Sequence, residues 1–409
     1  MAAIQEFHRN LGTGLLGRRI ERSPLRFARH RWVRWPGPGL DVAAPRPRAD
    51  VSAWANERAR HPLDPECGPG GWHLGVLPLV EGGAAVSLVV SHSLADGLGI
   101  CLAVADAVEG RVRDLGYPAP HARARRKAVS EDARLTAREV PEMARAVAAA
   151  VRAGRANRAG LKSSVAAAPP APRRSGGRGD DVVDVPTVTV FVDQDEWDSR
   201  AAQLGGTSNS LFSGVACRLG VRLGRVRPDG AVTLSFPVSE RTEGDTRANA
   251  LTSAVVAVDP TGAAQHLGTV RAAIKAALVD LAATPNELLG PLPLTPLVPR
   301  RLARRLAGVA LGNTDLPIGC SNMGEMEPAV NRPDGTDADF MSVRLVEPGI
   351  TRRTLDAMGG QLFLASGRAG GRVFLAVVAY SSGRQNSEEI LRDTVLETLA
   401  EFELTAVVQ

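Results

Sequence analysis

The sequence predicts an α/β protein of two lobes, and three observations carry that expectation. The chain has 409 residues, 44% of them hydrophobic, enough for two or three compact units. Short β-type apolar runs alternate with helix-period segments in both halves. Between the halves lies Ser163 to Asp181, SSVAAAPPAPRRSGGRGDD, a linker by composition. The expected division is therefore a first lobe at 1–165, a linker at 166–182 and a second lobe at 183–409.

The elements follow in order. Residues 25–36, LRFARHRWVRWP, alternate as a strand does and close on Pro36-Gly-Pro-Gly. Asp50 to Arg60 reads as a helix. Gly71 to Pro78 and Ala84 to Ser91 read as a hairpin around Glu81-Gly-Gly83. Gly97 to Val108 is an apolar helix expected behind that hairpin, and a long helix runs from Glu131 to Arg155. In the second half, Val185 to Val192, Val232 to Val238 and Ala254 to Val258 are strands. Helices are expected at Glu196 to Leu204, Asn209 to Leu223, Gln265 to Leu281 and, short and basic, Pro299 to Val309. A hairpin of Gln361 to Leu364 with Val373 to Ala379 precedes a terminal helix, Glu388 to Phe402.

Composition excludes several classes. The four cysteines lie far apart with no C-x-x-C pair, which argues against a zinc site and a secreted disulfide framework. No metal site is expected, and a reducing cytoplasm is the expected compartment. No apolar run reaches the ~18 residues of a membrane span, and the N-terminus lacks a signal-peptide core. From His121 to Gly179 the chain carries 14 Lys/Arg against 4 Asp/Glu, without one Phe, Trp or Tyr. Single-strand nucleic-acid binders interleave basic residues with stacking rings, so this segment is expected to be a solvated face rather than a nucleic-acid site. The same charge would suit an acidic partner or an anionic membrane surface, as would Arg300, Arg301, Arg304 and Arg305.

The stretch Ser87 to Gly99, SLVVSHSLADGLG, holds the candidate chemistry. On a plain reading, Ser93-x-x-Asp96 is a capping box at a helix start and His92 is incidental. On a functional reading, a strand ending at a helix start exposes its last side chain at the mouth of a cleft. Histidine is the side chain best suited to general-base work near neutral pH. Asp96 would fix the turn through an ion pair, and Gly97 would leave room for substrate. Residue types alone leave both readings open. Ser91 is not expected to form a nucleophilic dyad with His92, because neighbours on a strand point to opposite faces. No G-x-S-x-G elbow, P-loop or G-x-G-x-x-G is present. His30, His61 and His73 read as surface or packing histidines, and Trp72 as core.

Read outward, the motif has company. His61-Pro-Leu-Asp-Pro, Gly71-Trp72, a hairpin and Ser91-His92-x-x-x-Asp96-Gly97 resemble the wax ester synthase/diacylglycerol acyltransferase family. That family lies within the wider group of chloramphenicol-acetyltransferase-like enzymes and nonribosomal-peptide condensation domains. Thr207-Ser-Asn-Ser-Leu-Phe212, Phe236-Pro-Val-Ser-Glu-Arg241, Asn249-Ala-Leu-Thr and Cys320-Ser-Asn-Met-Gly324 are similar to further landmarks of the family, in the same order. Two features depart from its pattern: Ser91 stands where the first of two histidines is usual, and the chain before the motif is short.

The resemblance implies a two-lobed chloramphenicol-acetyltransferase-like fold of mixed sheets and helices, V-shaped, with His92 in a central channel. It implies an acyltransferase: an acyl thioester, acyl-CoA or a phosphopantetheinyl thioester, enters as co-substrate, with no tightly bound cofactor. A small-molecule acceptor with a hydroxyl or amine enters opposite. His92 takes the acceptor's proton and later protonates the thiolate. Asp96 is structural, with Arg241 as its candidate partner. Asn209, Ser210, Ser321 and Asn322 are candidates to line the channel or polarise the oxyanion, and each also suits a turn or cap. Two other classes stay open: a condensation-type enzyme acting in trans on a carrier-protein thioester, and a binding module without chemistry.

Overall fold

The computed structural model describes residues 1–66, 68–164, 181–283 and 315–409. The expected linker at 166–182 falls almost wholly outside these residues, as does the basic helix expected at 299–309. The first half opens with α1 (Ala2–Leu11), whose Ile4, Phe7 and Leu11 are buried at helical spacing. Strands β1 (Arg18–Glu21) and β2 (Arg31–Arg34) form a small antiparallel pair. The strand expected over 25–36 is thus shorter than its pattern. Ser23 Oγ accepts from the Leu25 amide, and Leu25 O accepts from the Ala28 amide, so 23–28 turns instead of extending.

Next come β3 (Asp41–Val42), α2 (Val51–Ala59), β4 (Trp72–Pro78), β5 (Ala84–Val90), α3 (Gly97–Val108) and α4 (Arg125–Ser164). Strand β4 is the centre of a three-stranded sheet, parallel to β3 and antiparallel to β5. Its residues are buried from Trp72 to Leu77 because both faces are covered. Trp54 and Arg58 of α2 lie against Gly75 on one side, while Trp72 and Leu74 join α1 and α3 in a core on the other. The long helix α4 starts and ends beyond the expected 131–155, and it carries Pro141 inside it.

The second half follows as β6 (Thr187–Asp193), α5 (Gln194–Gln203), α6 (Ser208–Arg222), β7 (Val232–Ser239), β8 (Leu251–Val258) and α7 (Gly268–Ala283). It closes with β9 (Ile318–Glu325), α8 (Arg352–Ala357), β10 (Gln361–Ala369), β11 (Arg372–Tyr380), α9 (Glu388–Glu401) and β12 (Ala406–Val408). Seven strands form one mixed sheet in the order β12-β6-β11-β10-β9-β7-β8. Strand β9, which the sequence pattern did not reveal, lies parallel to both β10 and β7. The β10–β11 hairpin turns on Gly370 and Gly371, both at positive φ, as a tight two-residue loop requires. Trp197, Phe212 and Phe402, each fully buried, anchor the helices on this sheet.

The halves share a core. Phe191, Met326, Ala329, Val330 and Phe374 of the second half pack in one apolar cluster with Trp72, Leu74 and Leu94 of the first. The architecture is α/β with mixed sheets and two lobes, as expected. Asp181 and Val182, expected to end the linker, are tied into the second lobe: Asp181 O accepts from the Arg352 amide, and Val182 bridges to Thr351.

Candidate active site

The motif sits where β5 ends. The Ser91 amide donates to Gly71 O at 2.7 Å, which extends the hairpin ladder one residue past Val90. The chain then turns. Leu94 N donates to Ser91 O, and Ser91 Oγ accepts from the Ser93 amide at 3.3 Å. Ser91 therefore serves the turn itself. Leu94 and Ala95 are buried, and the next residue, Asp96, stands just before α3.

The capping box expected from Ser93-x-x-Asp96 is not what forms. Asp96 is itself the N-cap, with Oδ1 accepting from the Gly99 amide at 2.8 Å. Its other oxygen is taken by groups 145 and 154 residues away in sequence. Oδ2 accepts from Arg241 Nη2 at 2.7 Å and from the Ala250 amide at 2.8 Å. Its own amide donates to Ala248 O. Asp96 is fully buried, which by itself raises a carboxyl pKa. The hydrogen bonds from Arg241, Ala250 and Gly99 outweigh that and hold the group below its ordinary value.

Arg241 is the partner of Asp96, as the sequence suggested, and it does more than pair a charge. Its guanidinium also donates to the carbonyls of Asp245, Arg247 and Ala248, so the 241–250 loop is wound around it. The loop in turn reaches the histidine: Asn249 Nδ2 donates to His92 O at 2.9 Å. Thus His92, Asp96, Gly97 and Arg241 are brought together from opposite halves of the chain. The His92 side chain is exposed, and among the described residues no hydrogen bond engages its ring. A Cβ on Gly97 would stand 3.6 Å from Met323 Sδ, so the end of β9 adjoins the start of α3.

The channel candidates divide. Asn209 and Asn322 meet, Asn322 Nδ2 donating to Asn209 Oδ1 at 2.9 Å, while Asn322 Oδ1 accepts from the Gly324 amide. Ser210 is buried in a capping box with Thr207 at the start of α6. Ser321 lies half-buried on β9, opposite Ala365 of β10. Asn209 and Ser210 also border a cavity of ≈ 400 Å³ whose far wall is α7.

Three contributors escaped the sequence reading. Asn249 belonged to a landmark but carried no role there. Gly99 is pressed between Asp96 and Arg241, since a Cβ would stand 3.1 Å from each. Arg18, at the start of β1, donates from Nη2 to Leu94 O at 2.7 Å and from Nη1 to Thr246 O at 2.6 Å. Nothing in the sequence marks it apart from the 48 other Lys and Arg residues. Trp72 is core as expected, with Nε1 donating to Leu16 O, and His73 is a packing residue stacked on His61 at 3.9 Å.

Comparison with known proteins places the fold. No family model matches the chain, and no curated protein matches it in sequence. Solved structures do. The first condensation domain of the CDA synthetase superposes with a TM-score of 0.52 at 14% identity, over 99% of this chain and 90% of that one. The wax ester synthase/diacylglycerol acyltransferase from Marinobacter aquaeolei VT8 gives 0.52 at 12% identity, over 98% and 89%. The epimerization domain of the third module of tyrocidine synthetase B gives 0.51 at 14%, over 98% and 89%. The chain therefore has the two-lobed fold shared by condensation domains and the wax ester synthase class, along nearly its whole length.

Proposed function

We propose that the protein is an acyltransferase that moves an acyl group from a thioester to a hydroxyl or amine acceptor, with His92 as general base. One observation carries the reading: the main chain is fixed by Gly71 at Ser91 and by Asn249 at His92 itself, while the imidazole is left exposed. Rigid backbone under a free ring is what a base needs to meet a substrate proton in one geometry. The fold supports the reaction class.

In the proposed reaction, the acceptor's O–H or N–H gives its proton to the imidazole as the heteroatom attacks the thioester carbonyl. The C–S bond then breaks, and the imidazolium returns the proton to the departing thiolate. No acyl-enzyme is required, so alignment of the two substrates supplies much of the rate. The donor is acyl-CoA or a carrier-bound phosphopantetheinyl thioester.

The test is thiol release from a panel of acyl-CoAs and acyl-carrier thioesters with several acceptors. Wild type and His92→Ala are compared, with a loss of about 10²- to 10⁴-fold expected in the variant. Release that needs the acceptor and His92 supports the reading, and the better donor decides between CoA and carrier. Biological activity that survives His92→Ala favours a binding module and sinks it.

A further inference from the structure

We infer that Arg18 is a positioning residue for His92, holding the motif turn to the 241–250 loop alongside Arg241. The inference rests on the acyltransferase reading for its kinetic consequence, though not for its geometry. Arg18 has no exposed surface. A buried arginine is ordinarily found beside a carboxylate, because desolvating a lone cation is costly. Here the partners among the described residues are all neutral: the Tyr117 hydroxyl at 2.7 Å, Thr246 O at 2.6 Å and Leu94 O at 2.7 Å. The Trp32 ring lies under the guanidinium, 4.2 Å from Cζ, and supplies the π-face that such a cation can use. Burial pulls its pKa below the ordinary arginine value despite the opposing influence of Tyr117.

The costly placement has a geometric return. A guanidinium is a rigid fork, and its two terminal nitrogens can bind two carbonyls at fixed separation. Those carbonyls belong to the segments whose relation sets His92. Leu94 is two residues past the histidine, and Thr246 is three residues before Asn249, whose amide holds His92 O. Arg241 binds the same loop through Asp245 O, Arg247 O and Ala248 O. Two forks from two lobes therefore fix one turn against one loop. A methionine would fill the volume but bind neither carbonyl, and a lysine would keep the charge but offer one head instead of two.

The test uses Arg18→Met and Arg18→Lys in the full chain, with two readouts. The first is amide hydrogen exchange at Asp96 and Ala250, which donate to Ala248 O and Asp96 Oδ2. Loss of both bridges is expected to speed it by about 10- to 100-fold, with the β10–β11 hairpin unchanged. The second is thiol release, where kcat is expected to fall by about 10- to 100-fold with KM within about twofold. Wild-type exchange at both amides in Arg18→Met overturns the inference, as does wild-type kcat in Arg18→Lys. Should Arg18→Met fail to fold, Tyr117→Phe removes only the hydroxyl that orients Nη1. It is expected to raise exchange at the same amides by about 2- to 5-fold, and unchanged exchange is again fatal. If wild type shows no His92-dependent turnover, the acyltransferase reading falls while the exchange data still decide the role of Arg18.

Discussion

Asn249 donates its side-chain amide to the main-chain carbonyl of His92, 2.9 Å away and 157 residues earlier in the chain. The bond is a direct tie between the second lobe and the candidate base, and it acts on the backbone. A net hydrogen bond of this kind is worth about 0.5–1.5 kcal/mol. Asn249→Ala is therefore expected to lower kcat by roughly 3- to 10-fold with KM nearly unchanged. Steady-state thiol release measures both. A rise in KM at constant kcat would instead place Asn249 in substrate binding.

The Asp96–Arg241 pair is buried on both sides, with side-chain exposures of 0% and 4%. Removing one partner strands the other, so Asp96→Ala and Arg241→Ala are each expected to cost about 3–5 kcal/mol in urea unfolding. The double variant should cost less than the sum, and additivity would show that the two residues act separately. The pH dependence has a definite sign. The folded pKa of Asp96 lies below the unfolded value of about 3.9, so its contribution is complete above that pH. As pH falls from about 4 through the folded value, the unfolded chain binds the proton first and stability declines. Asp96→Asn is expected to flatten the stability curve over that acid range.

The Gly positions in the motif separate by geometry. Among the described residues, a Cβ on Gly97 meets only Met323 Sδ, at an ordinary contact distance, and Gly97 opens a helix where alanine is favoured. Gly97→Ala is expected to fold as wild type does, any effect being on substrate binding. A Cβ on Gly99 stands 3.1 Å from both Arg241 Nη2, which donates to Asp96 Oδ2, Arg247 O and Ala248 O, and Asp96 Oδ1, whose carboxylate Arg241 and the Ala250 amide hold in place, so neither gives way cheaply. Gly99→Ala is expected to cost about 1–3 kcal/mol. Thermal unfolding of the two variants compares them, and equal Tm values would refute the distinction.

Periodicity made most helices and the two central hairpins legible, because each buries one apolar face against a core. It failed at β1 and β9. Strand β1 reads Arg-Arg-Ile-Glu, and its one wholly buried side chain is an arginine, the residue that pattern reasoning sends to the surface. Strand β9 reads IGCSNMGE, whose small and polar residues suit a strand flanked on both sides yet resemble a loop. At the site, local spacing predicted that Asp96 starts a helix and mistook its place in the cap. Its partner Arg241 came from the ordered landmarks, since no local pattern links positions 145 residues apart. Arg18 and Asn249 act through main-chain carbonyls, and a carbonyl leaves no trace in the identity of its residue.

His73 offers a test near neutral pH. Its ring is buried, stacked on His61 at 3.9 Å, with Nε2 3.2 Å from Asp41 Oδ2, while Arg58 pairs with the same carboxylate. Burial lowers its pKa most, and His61 and Arg58 lower it further. Asp41 opposes them without reversing the direction. Between the unfolded value of about 6.5 and the lower folded value, the unfolded chain carries more protons, so stability rises with pH there. Wild type is therefore expected to lose stability as pH falls from about 7.5 to 5.5, with the loss setting in near 6.5. His73→Phe keeps the stacking ring and removes the titration, so its urea midpoint should fall less across the same range. An equal fall in both proteins would assign the pH dependence to other groups.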